Sequence, residues 1–183
     1  MVKNDSQPSI IIPVEDAGAL FKDYEYNRIS LIESKQNTDS NGNRISSNDK
    51  RYIKATRSVT IDYEQLKEYL YFIEEQAAEA ETEIKGLRIY FGKYPDSGRF
   101  PTGNACKYPG AETVFMNPTM MHEKDEVSFA IATNRKGGSQ AIPVGEILNT
   151  SKKGDQYGEE TRSLAGNTFT RIPPPDENNN DFH

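Results

Sequence analysis

The sequence predicts an α+β fold: a small, mostly antiparallel sheet with two packed helices, long irregular loops and disordered tails. Three observations lead there. After Asp62, apolar residues recur at spacings of four and three, the period of an amphipathic helix. Short segments at 57–61, 87–91, 113–116 and 127–131 carry strand patterns, most clearly the alternation of 87–91 and 127–131. Between them, Gly, Pro, Asn and Ser punctuate the chain too often for long regular elements.

At 183 residues the chain has the length of one domain, placed at residues 10–172, with flexible tails at 1–9 and 173–183. A hydrophobic share of 34% and a mean hydropathy of -0.79 point to segments that add nothing to a core. Tryptophan is absent, so Phe, Tyr, Leu and Ile must fill that core. The single cysteine, Cys106, excludes an internal disulfide and a thiolate-rich zinc site. Residues 1–5 lead into no apolar stretch of signal-peptide length, and Ile10-Ile11-Ile12 is too short to span a bilayer. A soluble, acidic, cytoplasmic protein is expected; secretion by a route without such a signal stays open.

The elements follow in chain order. Pro13 sets the entry to a helix, with Glu15 and Asp16 in its first turn. Ala17, Leu20, Phe21, Tyr24, Leu31 and Ile32 keep helical spacing as far as Ser34, while Gly18 and Asn27 predict one broken helix or two short ones. Residues 36–49, rich in Asn, Ser and Asp, read as a flexible loop with a turn at Asn41-Gly42-Asn43. Arg57 to Ile61 is a candidate first strand. Asp62 is the N-cap of the main helix, whose covered face carries Leu66, Leu70, Ile73, Ala77 and Ala80. Gly86 ends that unit, and Leu87-Arg88-Ile89-Tyr90-Phe91 alternates as a strand. The 59–91 stretch therefore reads as strand, helix, strand, with a right-handed parallel crossover as one arrangement. Residues 93–111, with Pro95, Gly98, Pro101, Gly103, Pro109 and Gly110, form a long irregular loop. Thr113 to Met116 is a strand expected to stop at Pro118, and Val127 to Ile131 is another. Beyond Leu148 the apolar density collapses.

Charge is unevenly spread. Between Asp62 and Glu83, eight acids stand against Lys67 alone, a balance of -7 in a chain whose total is -6. Residues 44–57 hold Arg44, Lys50, Arg51, Lys54 and Arg57 against Asp49. A basic segment thus runs into an acidic helix, read either as a solvated face balanced by its neighbour or as two surfaces that steer charged partners. Nucleic acid is disfavoured as a partner, because the isoelectric point is near 5.1 and the acidic helix follows the basic segment directly.

Asp62-Tyr63-Glu64 with Leu66 and Tyr69-Leu70, then Gly86 to Gly92, then Thr113 to Met116 with Pro118-Thr119, together resemble a group of uncharacterised bacterial α+β proteins with no assigned activity. The resemblance covers roughly the middle third of the chain. It implies the strand–helix–strand arrangement and carries no catalytic residue across.

Several constellations bear on chemistry. His122-Glu123 with Asp125 supplies metal-binding side chains, but no HExxH spacing is present and His183 is the only other histidine, so an exposed polar loop is the better reading. Cys106 beside Lys107 is a nucleophile only if the fold brings His122 to it; otherwise it is an incidental thiol. Arg135 with Lys136-Gly137-Gly138-Ser139 can cradle an anion with backbone amides, or simply connect two strands. No GxxxxGK[ST], GxGxxG or GxSxG spacing occurs. Arg88 and Tyr90 share one strand face, opposite Leu87, Ile89 and Phe91. Roofed by Tyr94, Arg99 and Tyr108 from the long loop, they form the best candidate ligand-binding set, against the plain reading that they pack or face water.

The expected function is a non-enzymatic protein-binding or accessory module that uses the 93–111 loop, with another protein as partner, no cofactor and no metal. The alternatives are a sensor or sequestering protein for a small anionic ligand, and an enzyme with a site near Cys106 and His122.

Overall fold

Residues 8, 10–133, 137–150 and 161–167 are described by the computed structural model, and they form an α+β fold with an antiparallel sheet. The expected tails, 1–9 and 173–183, lie outside the described residues apart from Pro8, as do Arg135 and Lys136. The chain divides between Ser58 and Val59, inside the 10–172 span, into two compact units.

In the N-terminal unit, α1 (Val14–Tyr24) continues through a π-helical turn (Glu25–Ile29) into α2 (Ser30–Gln36). The broken helix expected from Gly18 and Asn27 is therefore one helical rod with a wider turn at Asn27, whose Nδ2 donates to the Asp23 carbonyl at 3.0 Å. None of the residues of α1 is buried; the buried position is Ile29, in the π turn. The 36–49 segment, expected as a flexible loop, is a hydrogen-bonded turn closed by a bridge between Thr38 and Arg44. Asp39 Oδ1 accepts from the amides of Asn41 and Asn43, an arrangement short acidic side chains favour in turns.

The basic segment then lies along the helical rod, held by side chains standing in for a strand partner. Asn37 exchanges two bonds with Ile53: its Oδ1 accepts from the amide at 2.7 Å and its Nδ2 donates to the carbonyl at 2.8 Å. Glu33 accepts from the Ala55 amide at 3.0 Å and the Tyr52 hydroxyl at 2.9 Å, and that bond raises the Tyr52 pKa. Arg57 pairs with Glu25 at 2.7 Å, and Arg51 holds the Asp49 carboxyl down to about 2. The cations expected to steer partners are thus partly spent on neighbouring carboxylates.

The second unit is built around α3 (Tyr63–Glu79). Asp62 caps it as the sequence predicts, accepting from the amides of Glu64 and Gln65 at 3.0 Å. The helix ends at Glu79 and β1 begins at Gly86. Glu81 takes the left-handed position (φ 49°), and the Thr82 amide reaches back to the Ala77 carbonyl, the bond that closes a Schellman cap. Residues 57–61 are not a strand; Thr60 is a single bridge position, and the preceding residues are already tied to the helical rod. No parallel crossover forms among the described residues, because β1 (Gly86–Lys93) pairs antiparallel with β2 (Glu112–His122).

β3 (Asp125–Thr133) pairs with β2 only over Thr119–His122, then diverges to pair with β4 (Ser139–Pro143). The helix α4 (Val144–Thr150) follows. Two short strands fill the resulting gap: β5 (Thr161–Arg162) on β3 and β6 (Gly166–Asn167) on β2. Leu164, between them, is 1% exposed and packs with Ile73 and Ala77 of α3 and with Met120, Phe129 and Ile131. Tyr69 ties this insert down, donating to the Leu164 carbonyl at 2.9 Å and the Met116 carbonyl at 3.3 Å.

β2 does not stop at Pro118, as expected, but runs on to His122. Pro118 lies between the stretch paired with β6 and the stretch paired with β3, where the gap asks for no amide from it. Asn117 supplies the local donor instead, to the carbonyls of Pro118 and Phe129. The face expected on β1 also needs correction. Leu87 joins the core under α3, but Ile89 and Phe91 are 55% and 84% exposed. They sit on an edge strand that, apart from Leu87, takes no part in the core packed against α3. No helix among the described residues is long and apolar enough to cross a membrane.

Candidate functional site

The long loop between β1 and β2, expected to be irregular, is a built structure. The Tyr94 amide donates to the Ala111 carbonyl at 2.9 Å and closes its base. Inside it, Cys106 bonds to Gly98, Phe100 to Asn104, and Arg99 bridges Ala105, giving a small hairpin. Gly98, Gly103 and Gly110 occupy left-handed positions (φ 73°, 87° and 76°) where side chains are disfavoured. The Pro and Gly content that marked an irregular loop is what allows these tight reversals.

Folded in this way, the loop encloses a cleft of about 540 Å³ against the sheet. Gly92, Thr113 and Phe115 line it from the strands, Ala165 and Asn167 from the 161–167 insert, and Tyr94, Phe100, Ala105, Cys106, Lys107 and Tyr108 from the loop. Tyr94, 8% exposed, anchors the assembly: its hydroxyl donates to Asn167 Oδ1 at 2.6 Å. Asn167 Nδ2 in turn donates to the Val114 carbonyl at 3.1 Å, joining loop, insert and β2. The Tyr94 ring meets Phe100 edge-on at 6.0 Å and Tyr108 at 6.5 Å, spacings typical of attractive aromatic pairs. Lys93 also lines the cleft, with its ammonium paired to Asp96 at 2.6 Å; the Lys107 ammonium lies 5.2 Å over the Tyr108 ring.

The predicted binding residues divide. Tyr94 and Tyr108 line the cleft. Tyr90 adjoins it, its ring stacked on Phe115 at 4.8 Å and 11°. Its hydroxyl bonds to Ser128, and that bond, followed by one to Arg88, lowers its pKa. Arg88 does not reach the cleft; it donates to the Glu126 carbonyl at 2.8 Å within a cross-strand network. Arg99 is not a roof residue either, since its guanidinium donates to the Gly103 carbonyl in its own loop at 3.0 Å. Phe115 and Asn167 were missed. Phe115 reads only as a strand residue, and Asn167 lies in a stretch with no periodic signal.

Cys106 and His122 are not brought together. The cleft takes Thr113, near the start of β2, whereas His122 ends that strand, about 30 Å away at ~3.3 Å per residue. Cys106 Sγ contacts the Pro95 carbonyl, and His122 Nε2 lies 3.3 Å from Glu146 on α4. No carboxylate or imidazole lines the cleft among the described residues, and no cluster of three metal-ligating side chains occurs among them. The arrangement offers ring surfaces, the Cys106 thiol and positive charge. Comparison with protein-family models, with curated proteins and with solved structures returned no match for this chain.

Proposed function

We propose that the protein is a non-enzymatic binding module and that the cleft under the 94–111 loop is its recognition site. The observation that carries this reading is the aromatic lining of the cleft: four rings, Tyr94, Phe100, Tyr108 and Phe115, gathered from loop and sheet around about 540 Å³. Concave, mostly apolar sites of roughly 300–1,000 Å³ with a few polar groups are the usual form of small-ligand sites. The size favours a small ligand held in the cleft over a flat protein interface, which needs far more surface.

The test is a small-molecule screen by ligand-observed NMR on the full chain. Hits are expected to weaken at least tenfold, a loss of about 1.4 kcal/mol, in Phe100→Ala with Tyr108→Ala. They are expected to survive His122→Ala unchanged. Hits that ignore the ring pair and respond to His122→Ala would overturn the assignment.

A further inference from the structure

The geometry points to a small planar aromatic anion as the ligand of this cleft, with its ring among the loop and strand aromatics and its charge at Lys107. The inference rests on the reading of the cleft as the binding site and adds the chemistry it selects. Phe100, Tyr108 and Phe115 offer ring faces and edges, and flat π-systems bind such walls in offset or edge-on contact. Phe115 is backed by Tyr90 at 4.8 Å, which holds its ring in place before any ligand arrives.

Charge sets the sign of the ligand. Residues 93–111 carry Lys93, Arg99 and Lys107 against Asp96, a local excess of +2 in a chain of -6. Lys93 is balanced by Asp96, and Arg99 is bound to Gly103, so Lys107 is the cation left facing the cleft without a carboxylate among the described residues. Its stacking over Tyr108 keeps the ammonium at the cleft wall. An aromatic cage for an ammonium ligand would place no lysine there, since like charges repel. Asn167 is already engaged with Tyr94 and Val114, so it adds little selection for a neutral polar ligand.

Two fluorescent probes of one shape separate the terms: anilinonaphthalene sulfonate, an aromatic anion, and phenylnaphthylamine, its uncharged counterpart. Titrated into the full chain, the sulfonate is expected to bind about twofold to fivefold more tightly, the scale of an exposed charge contact. Lys107→Gln should abolish that margin without changing the neutral probe. Lys67→Gln, on α3 and paired with Glu64, should change neither. Ala105→Phe blocks the exposed cleft wall without deleting a packed ring, and should weaken both probes at least tenfold. If Ala105→Phe weakens both but the probes bind equally, or Lys107→Gln has no effect, the anion preference is wrong and the cleft reading stands. If Ala105→Phe changes neither probe, the cleft reading fails and the inference with it.

Discussion

Leu164→Ala tests the architecture of the 59–172 unit at its least expected point. The side chain is 1% exposed and plugs the gap where β2 and β3 part. Truncation removes three carbons, worth about 2.4 kcal/mol at roughly 0.8 kcal/mol each. A residual cavity of about 50 Å³ adds ~1 kcal/mol at roughly 24 cal/mol per Å³, for an expected loss of about 3.5 kcal/mol. Because the chain has two units, the assay must report this one alone. Urea unfolding followed by the NMR signals of Met116 and Ile131, strand positions beside the insert, does so. Leu148→Ala, at a position 64% exposed, should cost about 0.5 kcal/mol or less. A loss below about 1 kcal/mol for Leu164→Ala, or equal losses for the two, would show that the 161–167 insert does not complete the core.

Gly166→Ala should destabilise the same unit by about 1–3 kcal/mol, because the added Cβ meets the Tyr69 ring at 2.8 Å and that ring is pinned by its hydroxyl; unchanged urea midpoints would refute the close approach. Burial pushes the Tyr69 phenol up to about 12, so the unfolded chain ionises first. Its contribution to stability should be complete below about pH 10 and lost as pH rises towards 12, and Tyr69→Phe should flatten that alkaline decline in a pH series of urea midpoints. Glu81→Gly should stabilise by about 0.5–1 kcal/mol, since it relieves a left-handed backbone at the end of α3 and removes an acid from the negative end of the dipole; a lower melting temperature would refute this.

The α+β class, the Asp62 cap, the buried stripe of α3 and the existence of β1, β2 and β3 were legible along the chain. These depend on local period and capping chemistry, which neighbouring residues carry by themselves. The sequence also singled out the 93–111 loop, and two of the residues it named there, Tyr94 and Tyr108, line the cleft. What lay beyond the sequence was decided by contacts between distant positions. Ile89 and Phe91 have a core-like alternation, yet their exposure follows from β1 standing at the sheet edge. Glu33 and Asn37 look like solvated helix residues until Tyr52, Ile53 and Ala55 come to lie beside them. Leu164 and Asn167 sit in a stretch without periodicity, and only the parting of β2 from β3 makes room for them. Arg88 and Arg99 carry the right chemistry for a ligand, but nearby carbonyls claim both guanidiniums, whereas Lys107 rests on a ring at the cleft. Periodicity reports which face of an element is apolar; whether that face is covered, and which polar group is left for a ligand, depends on partners tens of residues away.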